Sequence, residues 1–184
     1  MTVDINKFVN IMNRNNTFGS ECMLLLTQNT EDICYSELMR VYEESNIEIG
    51  KQKYRNRTAN EQILLAEQDL YSYLCFVLDN CGWFAAWTSN GRYQAALRLE
   101  PYSDGFLICA LETAPEARRQ GYAAALLRAV IEAMSANKIY AHIYVDNKIS
   151  IHLHKKLGFI EVSDSAEFLD GTVSFQAKTY MLNV

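Results

Sequence analysis

Two arginines and a glycine stand directly before an Ala- and Leu-rich segment in the stretch ETAPEARRQGYAAALLRAVIEAM, residues 112–134. The first backbone N–H groups of a helix have no partner within the helix, and the helix dipole adds partial positive charge there. A phosphate can accept those hydrogen bonds when no side chain blocks its approach. Gly121 and the small Ala123 leave that approach open, and Arg118 and Arg119 add positive charge. The spacing therefore predicts a cradle for a pyrophosphate group.

Residues 118–121 are called the arginine loop here. The elements that must position this loop can be read from the spacing of apolar residues. Asn90-Gly91 lies between two strand-like runs, and this dipeptide is typical of a type I′ hairpin turn. A further strand-like run, residues 104–113, follows a short turn, so three consecutive strands form an antiparallel meander that ends at the arginine loop. Residues 59–80 contain the strand-like YLCFVL, but helical periodicity over the whole stretch favours one helix.

The complete element order, β-α-α-β-β-β-α-β-α-β-β, predicts an α/β fold with a mixed sheet. The predicted strands are 22–28, two within 82–101, 104–113, 138–147, 159–169 and 172–183; the predicted helices are 29–45, 59–80, one from the arginine loop to near Ala136, and 148–157. Residues 46–57 carry a cluster of basic side chains and little apolar pattern, which predicts a solvated loop. A contact with substrate or phosphate is the alternative for that segment.

Length and composition limit the class of protein. With 184 residues, 49% of them hydrophobic, we expect a single domain over 1–184, with residues 1–20 as an N-terminal extension in which 5–12 have the pattern of a short helix. The net charge of −5 argues against nucleic acid as a partner. The 5 cysteines lack C-x-x-C spacing, which disfavours a disulfide framework or a zinc site and fits a reducing cytosol. No apolar run has membrane-spanning length, so we expect a cytoplasmic protein without a membrane partner or a metal.

Three stretches resemble the GNAT family of acetyl-CoA-dependent N-acyltransferases, and the similarity extends over nearly the whole chain. APEARRQGYAAALL, residues 114–127, resembles the family's acyl-CoA pyrophosphate loop. DNKISIHLHKKLGF, residues 146–159, resembles its second CoA segment, and LLLTQNTEDICYSEL, residues 24–38, resembles its first strand and helix. The resemblance implies a GNAT-like fold, in which two central parallel strands splay apart.

The resemblance also implies how acetyl-CoA, the acyl donor, would bind between strands 104–113 and 138–147. The main-chain amides of residues 119–124 would hold its pyrophosphate, the backbone of residues 111–113 would pair with its pantetheine arm, and Asn147 would hydrogen-bond that arm. The implied cofactor-binding residues are Leu111, Glu112, Thr113, Arg118, Arg119, Gln120, Gly121, Tyr122, Ala123, Ala124, Asn147, Ser150 and His154.

The reaction implied by the resemblance is direct attack of an amine on the thioester, which needs a neutral amine, a polarised carbonyl and a proton for the departing thiolate. The family commonly has Tyr four residues before the Gly-Phe pair, where this chain has His154, so the resemblance implies His154 as the proton donor. The alternative is a half-buried helix residue without that role. Glu112 is either a general base acting through water or a structurally paired carboxylate. Tyr180 is an alternative acid, and the backbone N–H of Thr113 would contact the oxyanion.

Three functional hypotheses follow. The first is an N-acetyltransferase acting on a primary amine of a small molecule or a peptide, and the second is an inactive acyl-CoA-binding module of the same fold. The third is a different α/β protein that binds nucleotides with the arginine loop, although that loop has the spacing of neither a P-loop nor a dinucleotide fingerprint. The acceptor site is implied near residues 46–60 and 168–173, which carry no decodable motif, and a homodimer is a further expected partner.

Overall fold

The computed structural model describes residues 22–134, 138–168 and 171–184, so the predicted N-terminal extension lies outside the described residues. The helices are α1 (Tyr35–Val41), α2 (Glu43–Lys53), α3 (Ala59–Asp79), α4 (Tyr122–Ala133) and α5 (Lys148–Lys156). The strands are β1 (Cys22–Thr27), β2 (Trp83–Ser89), β3 (Arg92–Tyr102), β4 (Gly105–Thr113), β5 (Lys138–Tyr144), β6 (Ile160–Ser163), β7 (Ala166–Glu167), β8 (Val173–Ser174) and β9 (Ala177–Asn183). None of the helices in these described ranges combines the length and apolarity that crossing a membrane requires.

A 7-stranded mixed sheet with the order β1-β2-β3-β4-β5-β9-β6 forms the centre of the fold. Neighbouring strands are antiparallel except β4 and β5, which run parallel. Asn90 and Gly91 join β2 to β3 with positive φ at both positions, as a type I′ turn requires. The predicted fold class, the meander and the central parallel pair are therefore confirmed. Strands β7 and β8 form a separate hairpin.

Helices cover both faces of the sheet and divide the core into two layers. On one face, Leu126 and Val130 of α4 are fully buried in the same cluster as Leu97 of β3. On the other face, Leu38 of α1 and Leu74 of α3 belong to a second buried cluster. Because side chains alternate along a strand, the residues next to Leu97 point towards α1 and α3.

The prediction for residues 29–57 is wrong in two respects. The predicted single helix 29–45 is divided at Tyr42, and the predicted loop 46–57 is helical as far as Lys53. Acidic residues begin α2 and basic residues end it, which complements the helix dipole and stabilises a helix with little apolar pattern. Gly50 lets α2 approach α3 closely, because a Cβ at Gly50 would lie 2.5 Å from the carbonyl oxygen of Gln62.

The predicted final strands are each interrupted by a serine turn. The prediction 159–169 corresponds to β6 and β7, and the prediction 172–183 corresponds to β8 and β9. Between β6 and β7, the amide of Ser165 donates to Ser163 Oγ at 3.2 Å. Between β8 and β9, the amide of Gln176 donates to Ser174 Oγ at 3.2 Å. These local bonds replace ladder bonds and divert the chain.

Strands β4 and β5 pair only at their beginning. Their ladder runs from the Gly105–Lys138 pair to the Ile108–Ala141 pair, although both strands continue beyond it. The approach at the start is tight, because a Cβ at Gly105 would lie 2.0 Å from the carbonyl oxygen of Lys138. Beyond Ile108 the two strands separate, as the predicted splay requires.

A β-bulge in β4 follows directly after the paired segment. The pairs Ala96–Glu112 and Arg98–Cys109 leave two residues of β4 opposite one residue of β3. Ala110, within the bulge, has a φ of 50°. It is exposed although β4 lies in the middle of the sheet. The bulge therefore marks the point at which β4 turns away from β5.

Candidate functional site

A cleft of about 580 Å³ opens at the end of β4, beyond the point where β4 and β5 separate. Its walls are the last residues of β4, the arginine loop, the first turns of α4 and one face of α5. The lining residues are Leu111, Glu112, Thr113, Arg118, Arg119, Gly121, Tyr122, Ala123, Ala124, Arg128, Ile149, His152, Leu153, Lys156 and Leu157. From Leu111 to Ala124, every lining residue belongs to the set that the sequence predicts for cofactor binding.

The arginine loop, residues 118–121, enters α4 through left-handed backbone conformations. Arg119 has a φ of 63° and Gly121 a φ of 86°. Gly121 is the N-cap of α4, so it has no side chain to bond the amides that begin the helix, and Ala125 N donates to Gly121 O at 3.0 Å. Residues 122–124, which precede that bond, line the cleft. Successive N–H groups in such a turn form a concave site for an anion.

Basic side chains give the cleft positive charge. It is lined by Arg118, Arg119, Arg128 and Lys156. Arg118 Nη2 lies 2.7 Å from Oε2 of Glu44 in α2, and both side chains are about half exposed. The part of the chain that the structure describes contains no group of three or more His, Cys, Asp or Glu side chains placed to hold a metal ion. The charge and the loop together suit an anionic ligand.

One face of α5 forms the opposite wall of the cleft, and the sequence-based prediction of the site missed it. This wall is formed by Ile149, His152, Leu153, Lys156 and Leu157. Their spacing of three and four residues could have identified one helix face before the structure was known. Ile149 is 85% exposed, so the wall offers apolar surface to a ligand. Arg128, one turn beyond Ala124 in α4, was missed in the same way.

Several predicted site residues do not line the cleft: Gln120, Asn147, Ser150, His154 and Tyr180. Asn147 is the N-cap of α5, and its Oδ1 accepts a hydrogen bond from Ser150 N at 3.0 Å. Gln120 Nε2 donates to the carbonyl oxygen of Glu116 at 3.1 Å. These bonds stabilise the start of α5 and the arginine loop.

His154 is buried beneath α5. It is 2% exposed, and its ring packs edge-on against Phe159. Nδ1 lies 2.8 Å from the carbonyl oxygen of Ser150 and, because a carbonyl only accepts, Nδ1 carries the hydrogen. Nε2 of the neutral ring is therefore unprotonated, and it has no hydrogen-bond partner among the described residues. Burial lowers the pKa of His154, although the bond to Ser150 acts in the opposite direction.

Tyr180 lies within the core of the sheet. It is 1% exposed in β9, where it pairs with Ala141 of β5 and Glu161 of β6. Its hydroxyl lies 3.4 Å from Glu161 Oε2, and the Lys155 ammonium lies 5.9 Å from the ring centroid. Burial, and then the charge of Glu161, raises the pKa of Tyr180. Packing in the sheet accounts for this tyrosine without a contact to the cleft.

Glu112 is the member of the predicted acid–base set that does line the cleft. Ser45 Oγ of α2 donates a hydrogen bond to Glu112 Oε1 at 2.6 Å. Burial raises the pKa of Glu112, and the bond from Ser45 opposes that rise. A carboxylate with a raised pKa is a stronger base than an exposed one.

A polar cluster, consisting of Tyr73, Arg98 and Glu100, lies on the face of β3 that packs against α1 and α3, and Tyr73 is its exposed member. Arg98 Nε lies 3.2 Å from Glu100 Oε1, and the two side chains are 13% and 4% exposed. The Tyr73 hydroxyl donates to Glu100 Oε2 at 2.9 Å, and the Arg98 guanidinium lies 4.9 Å from the Tyr73 ring centroid. Both carboxylate oxygens of Glu100 thus have partners, as a buried charge requires.

Comparisons with known proteins agree with this geometry. The model of the Acetyltransferase (GNAT) family matches residues 36–159, more than half of the chain. No curated protein matches the chain. Among solved structures, it is similar to the PaiA N-acetyltransferase from Thermoplasma acidophilum in complex with coenzyme A, with a TM-score of 0.56 and 13% identity over 88% of this chain and 99% of that chain.

Two further solved structures share the fold. The ribosomal-protein-S18-alanine N-acetyltransferase from Escherichia coli has a TM-score of 0.54 and 18% identity over 87% of this chain and 93% of that chain. The N-acetyltransferase from Staphylococcus aureus Mu50 has a TM-score of 0.53 and 18% identity over 89% of this chain and 99% of that chain. At these identities the likeness concerns the fold.

Proposed function

Because the chain belongs to the acetyltransferase (GNAT) family, we propose that it transfers an acetyl group from acetyl-CoA to a primary amine of a small molecule or a peptide. The cleft carries this proposal, because an anion-binding loop there adjoins the open edge of a strand. A donor with a pyrophosphate and an extended arm suits both features. The similar structure from Thermoplasma acidophilum contains coenzyme A, which supports the identity of the donor.

The arginine loop would hold the pyrophosphate. The amides of residues 119–124, at the start of α4, would donate hydrogen bonds to it, and Gly121 has no side chain to obstruct the phosphate oxygens. Arg118 would exchange its contact with Glu44 for a contact with phosphate, since a flexible and half-exposed guanidinium can move between the two. Arg119, Arg128 and the ammonium of Lys156 add further positive charge along the cleft.

The edge of β4 would hold the pantetheine arm. Beyond Ile108, β4 no longer pairs with β5, so the backbone of residues 111–113 is available to an extended ligand on that side. A ligand that adds to a strand edge gains backbone hydrogen bonds in the same way as a neighbouring strand. Ile149 and Leu153 of α5 supply apolar contacts on the opposite wall.

Acetyl-CoA supplies an activated thioester carbonyl when bound. In the transfer, the amine nitrogen bonds to the carbonyl carbon, the carbon–sulfur bond breaks, the nitrogen loses a proton and the sulfur gains one. Glu112 would accept the nitrogen's proton, directly or through a water, because it lines the cleft with a raised pKa. The backbone N–H of Thr113 would stabilise negative charge on the carbonyl oxygen.

Neither of the two predicted acids, His154 and Tyr180, lines the cleft where the sulfur would lie. Nδ1–H of His154 is engaged with Ser150, so donation from Nε2 would require a second proton, which burial opposes. Tyr180 lies in the core, away from the lining residues. This arrangement favours, as a second candidate function, an acyl-CoA-binding module of the same fold without catalysis.

The first test is the melting temperature with excess acetyl-CoA, with ATP as the comparison ligand. A ligand at about 100 times its Kd stabilises the native state by about 2.7 kcal/mol, which shifts the melting temperature of a domain of this size by about 5–11 °C. We expect that shift with acetyl-CoA and its loss in Gly121→Glu. Stabilisation by ATP but not by acetyl-CoA would instead support a nucleotide-binding protein and contradict our proposal.

Gly91→Glu is the matched control for this test. Gly91 also has a positive φ, 71°, and a Cβ added there would meet nothing within 4 Å. The same strain and charge are thus introduced at the β2–β3 turn, away from the cleft. The shift with acetyl-CoA should persist in Gly91→Glu, and its loss there would show that Gly121→Glu acts through stability.

Release of free thiol from acetyl-CoA with a panel of primary amines separates the two candidate functions. An enzyme releases CoA above the rate of spontaneous hydrolysis with at least one amine, and Glu112→Gln should slow that release. A binding module shifts the melting temperature but releases no thiol. The rate should rise with pH through the pKa of Glu112, which burial raises above that of an ordinary glutamate, because the carboxylate form is the base.

A further inference from the structure

The bulge in β4 is the feature on which the shape of the cleft depends. The ladder with β5 ends at Ile108, the bulge contains Ala110, and the lining residues begin at Leu111. Ala110 has a φ of 50°, a left-handed conformation that is unfavourable for a residue with a side chain. Such a conformation persists only where the surrounding structure fixes it.

Tyr42 supplies a contact that fixes this conformation. Its hydroxyl donates to the carbonyl oxygen of Ala110 at 2.7 Å, across 68 positions of the chain. Tyr42 is 2% exposed within the core that α1 and α3 form against the sheet. Burial raises the pKa of Tyr42, so its hydroxyl keeps the proton that it donates.

The position of Tyr42 in the chain makes this contact rigid. Tyr42 stands at the junction of α1 and α2, where its amide donates to Leu38 O at 3.2 Å and its carbonyl accepts from Asn46 N at 2.8 Å. Three residues later, Ser45 bonds Glu112 on the far side of the bulge. The helix junction therefore contacts β4 at the strained residue and again two residues beyond it.

We propose that Tyr42 is a positioning residue for the acyl donor: its hydroxyl holds the Ala110 carbonyl and so fixes the bulge that presents residues 111–113 to the cleft. The proposal rests on the proposed function for the identity of the ligand. Tyr42 does not line the cleft, so it acts through the backbone of β4. Without its hydroxyl, β4 relaxes towards an unbulged register, and the edge that pairs with pantetheine loses its geometry.

The test compares two ligands by titration calorimetry. Acetyl-CoA contacts both the arginine loop and the edge of β4, whereas adenosine 3′-phosphate 5′-diphosphate, its nucleotide half, reaches only the loop. In Tyr42→Phe we expect acetyl-CoA to bind about tenfold more weakly, as the loss of one backbone hydrogen bond would produce, and the nucleotide to bind as in the wild type. A loss of stability alone would weaken both ligands equally.

Two variants sharpen the test. Tyr93→Phe removes another buried hydroxyl of the same core, one that accepts a hydrogen bond from Cys34 N at 2.9 Å, and it should leave both affinities unchanged. Ala110→Gly makes the positive φ favourable, so adding it to Tyr42→Phe should restore most of the lost affinity. A purely packing role for Tyr42 predicts no such rescue.

The outcomes separate this inference from the proposed function. If the wild type binds neither ligand, the proposed function fails. If the wild type binds acetyl-CoA and Tyr42→Phe binds it equally well, or binds both ligands more weakly, the positioning role of Tyr42 is overturned. Amide hydrogen exchange gives a readout without ligand: in Tyr42→Phe it should accelerate at residues 111–113 and not in β2.

Discussion

The cleft and the polar cluster are two regions of the molecule that hold charged groups, and they are built by different means. The cleft combines the backbone and basic side chains of the arginine loop with apolar side chains of α5. The cluster pairs Arg98 and Glu100 of β3, which are 13% and 4% exposed, with the hydroxyl of Tyr73 of α3. We infer that changes to the cleft alter binding, whereas changes to the cluster alter stability.

The largest expected effect comes from Arg98→Met in the cluster. This change removes the cationic partner of the buried Glu100 carboxylate, and breaking a buried ion pair in this way costs about 3 kcal/mol. The free energy of unfolding, measured in urea, should fall by that amount. Lys178→Met is the control, since it removes a cation from the partly exposed pair with Glu161 and should cost far less. Equal losses of unfolding free energy in Arg98→Met and Lys178→Met would contradict the view that the cluster acts on stability.

The two regions also differ in how far sequence could predict them. Arg118, Gly121 and the helix that follows are consecutive, so local rules for helix starts predicted both the loop and its charge. The hairpin and the meander followed from turn residues and apolar spacing, whereas the parallel pair was implied by the resemblance to the GNAT family. The contacts of Tyr42 with Ala110 and of Ser45 with Glu112 join residues 68 and 67 positions apart, and no local pattern encodes such pairs.

His154 illustrates a second limit of prediction from sequence. The resemblance placed it at the position of the family's usual tyrosine, but position in a motif does not determine which helix face meets the cleft. Ile149, Leu153 and Leu157 line the cleft, so a residue one position beyond Leu153 turns away from it. The orientation of α5 against the sheet decides this, and it depends on packing that the sequence does not show locally.

An intermediate effect is expected at the arginine loop, and there it concerns affinity. Arg118→Gln should weaken acetyl-CoA binding about tenfold, because a charge-assisted hydrogen bond to phosphate is lost. Glu44→Gln should strengthen binding about threefold, because Arg118 no longer has a competing partner. Calorimetric titration measures both, and unfolding in urea should show little change in either variant. The essential result is that the affinity for acetyl-CoA changes in opposite directions in the two variants. Weaker binding in both variants would mean that Glu44 orders the loop.

The smallest expected effect is a change in how stability depends on pH. Burial lowers the pKa of His154 below that of an ordinary histidine, so the unfolded chain binds a proton more readily and stability falls as the pH decreases through the ordinary histidine pKa. His154→Gln should make this fall less steep, while His142, whose pKa burial also lowers, maintains part of it. His152→Gln, on the exposed side of the same helix, is the matched control. Identical slopes in the wild type and His154→Gln would contradict the burial of the ring.

The ion pair between Glu44 and Arg118 also affects how binding responds to ionic strength. Dissolved salt weakens the attraction between Arg118 and a phosphate, but it weakens the competing attraction to Glu44 as well, because both pairs are open to solvent. The first change lowers the affinity for the phosphate, whereas the second raises it by freeing Arg118 from Glu44. If Arg118 binds the pyrophosphate as we propose, it should therefore contribute less to the salt dependence of acetyl-CoA binding than an arginine without an acidic neighbour would, and the loop should retain its ligand over a wider range of salt concentration.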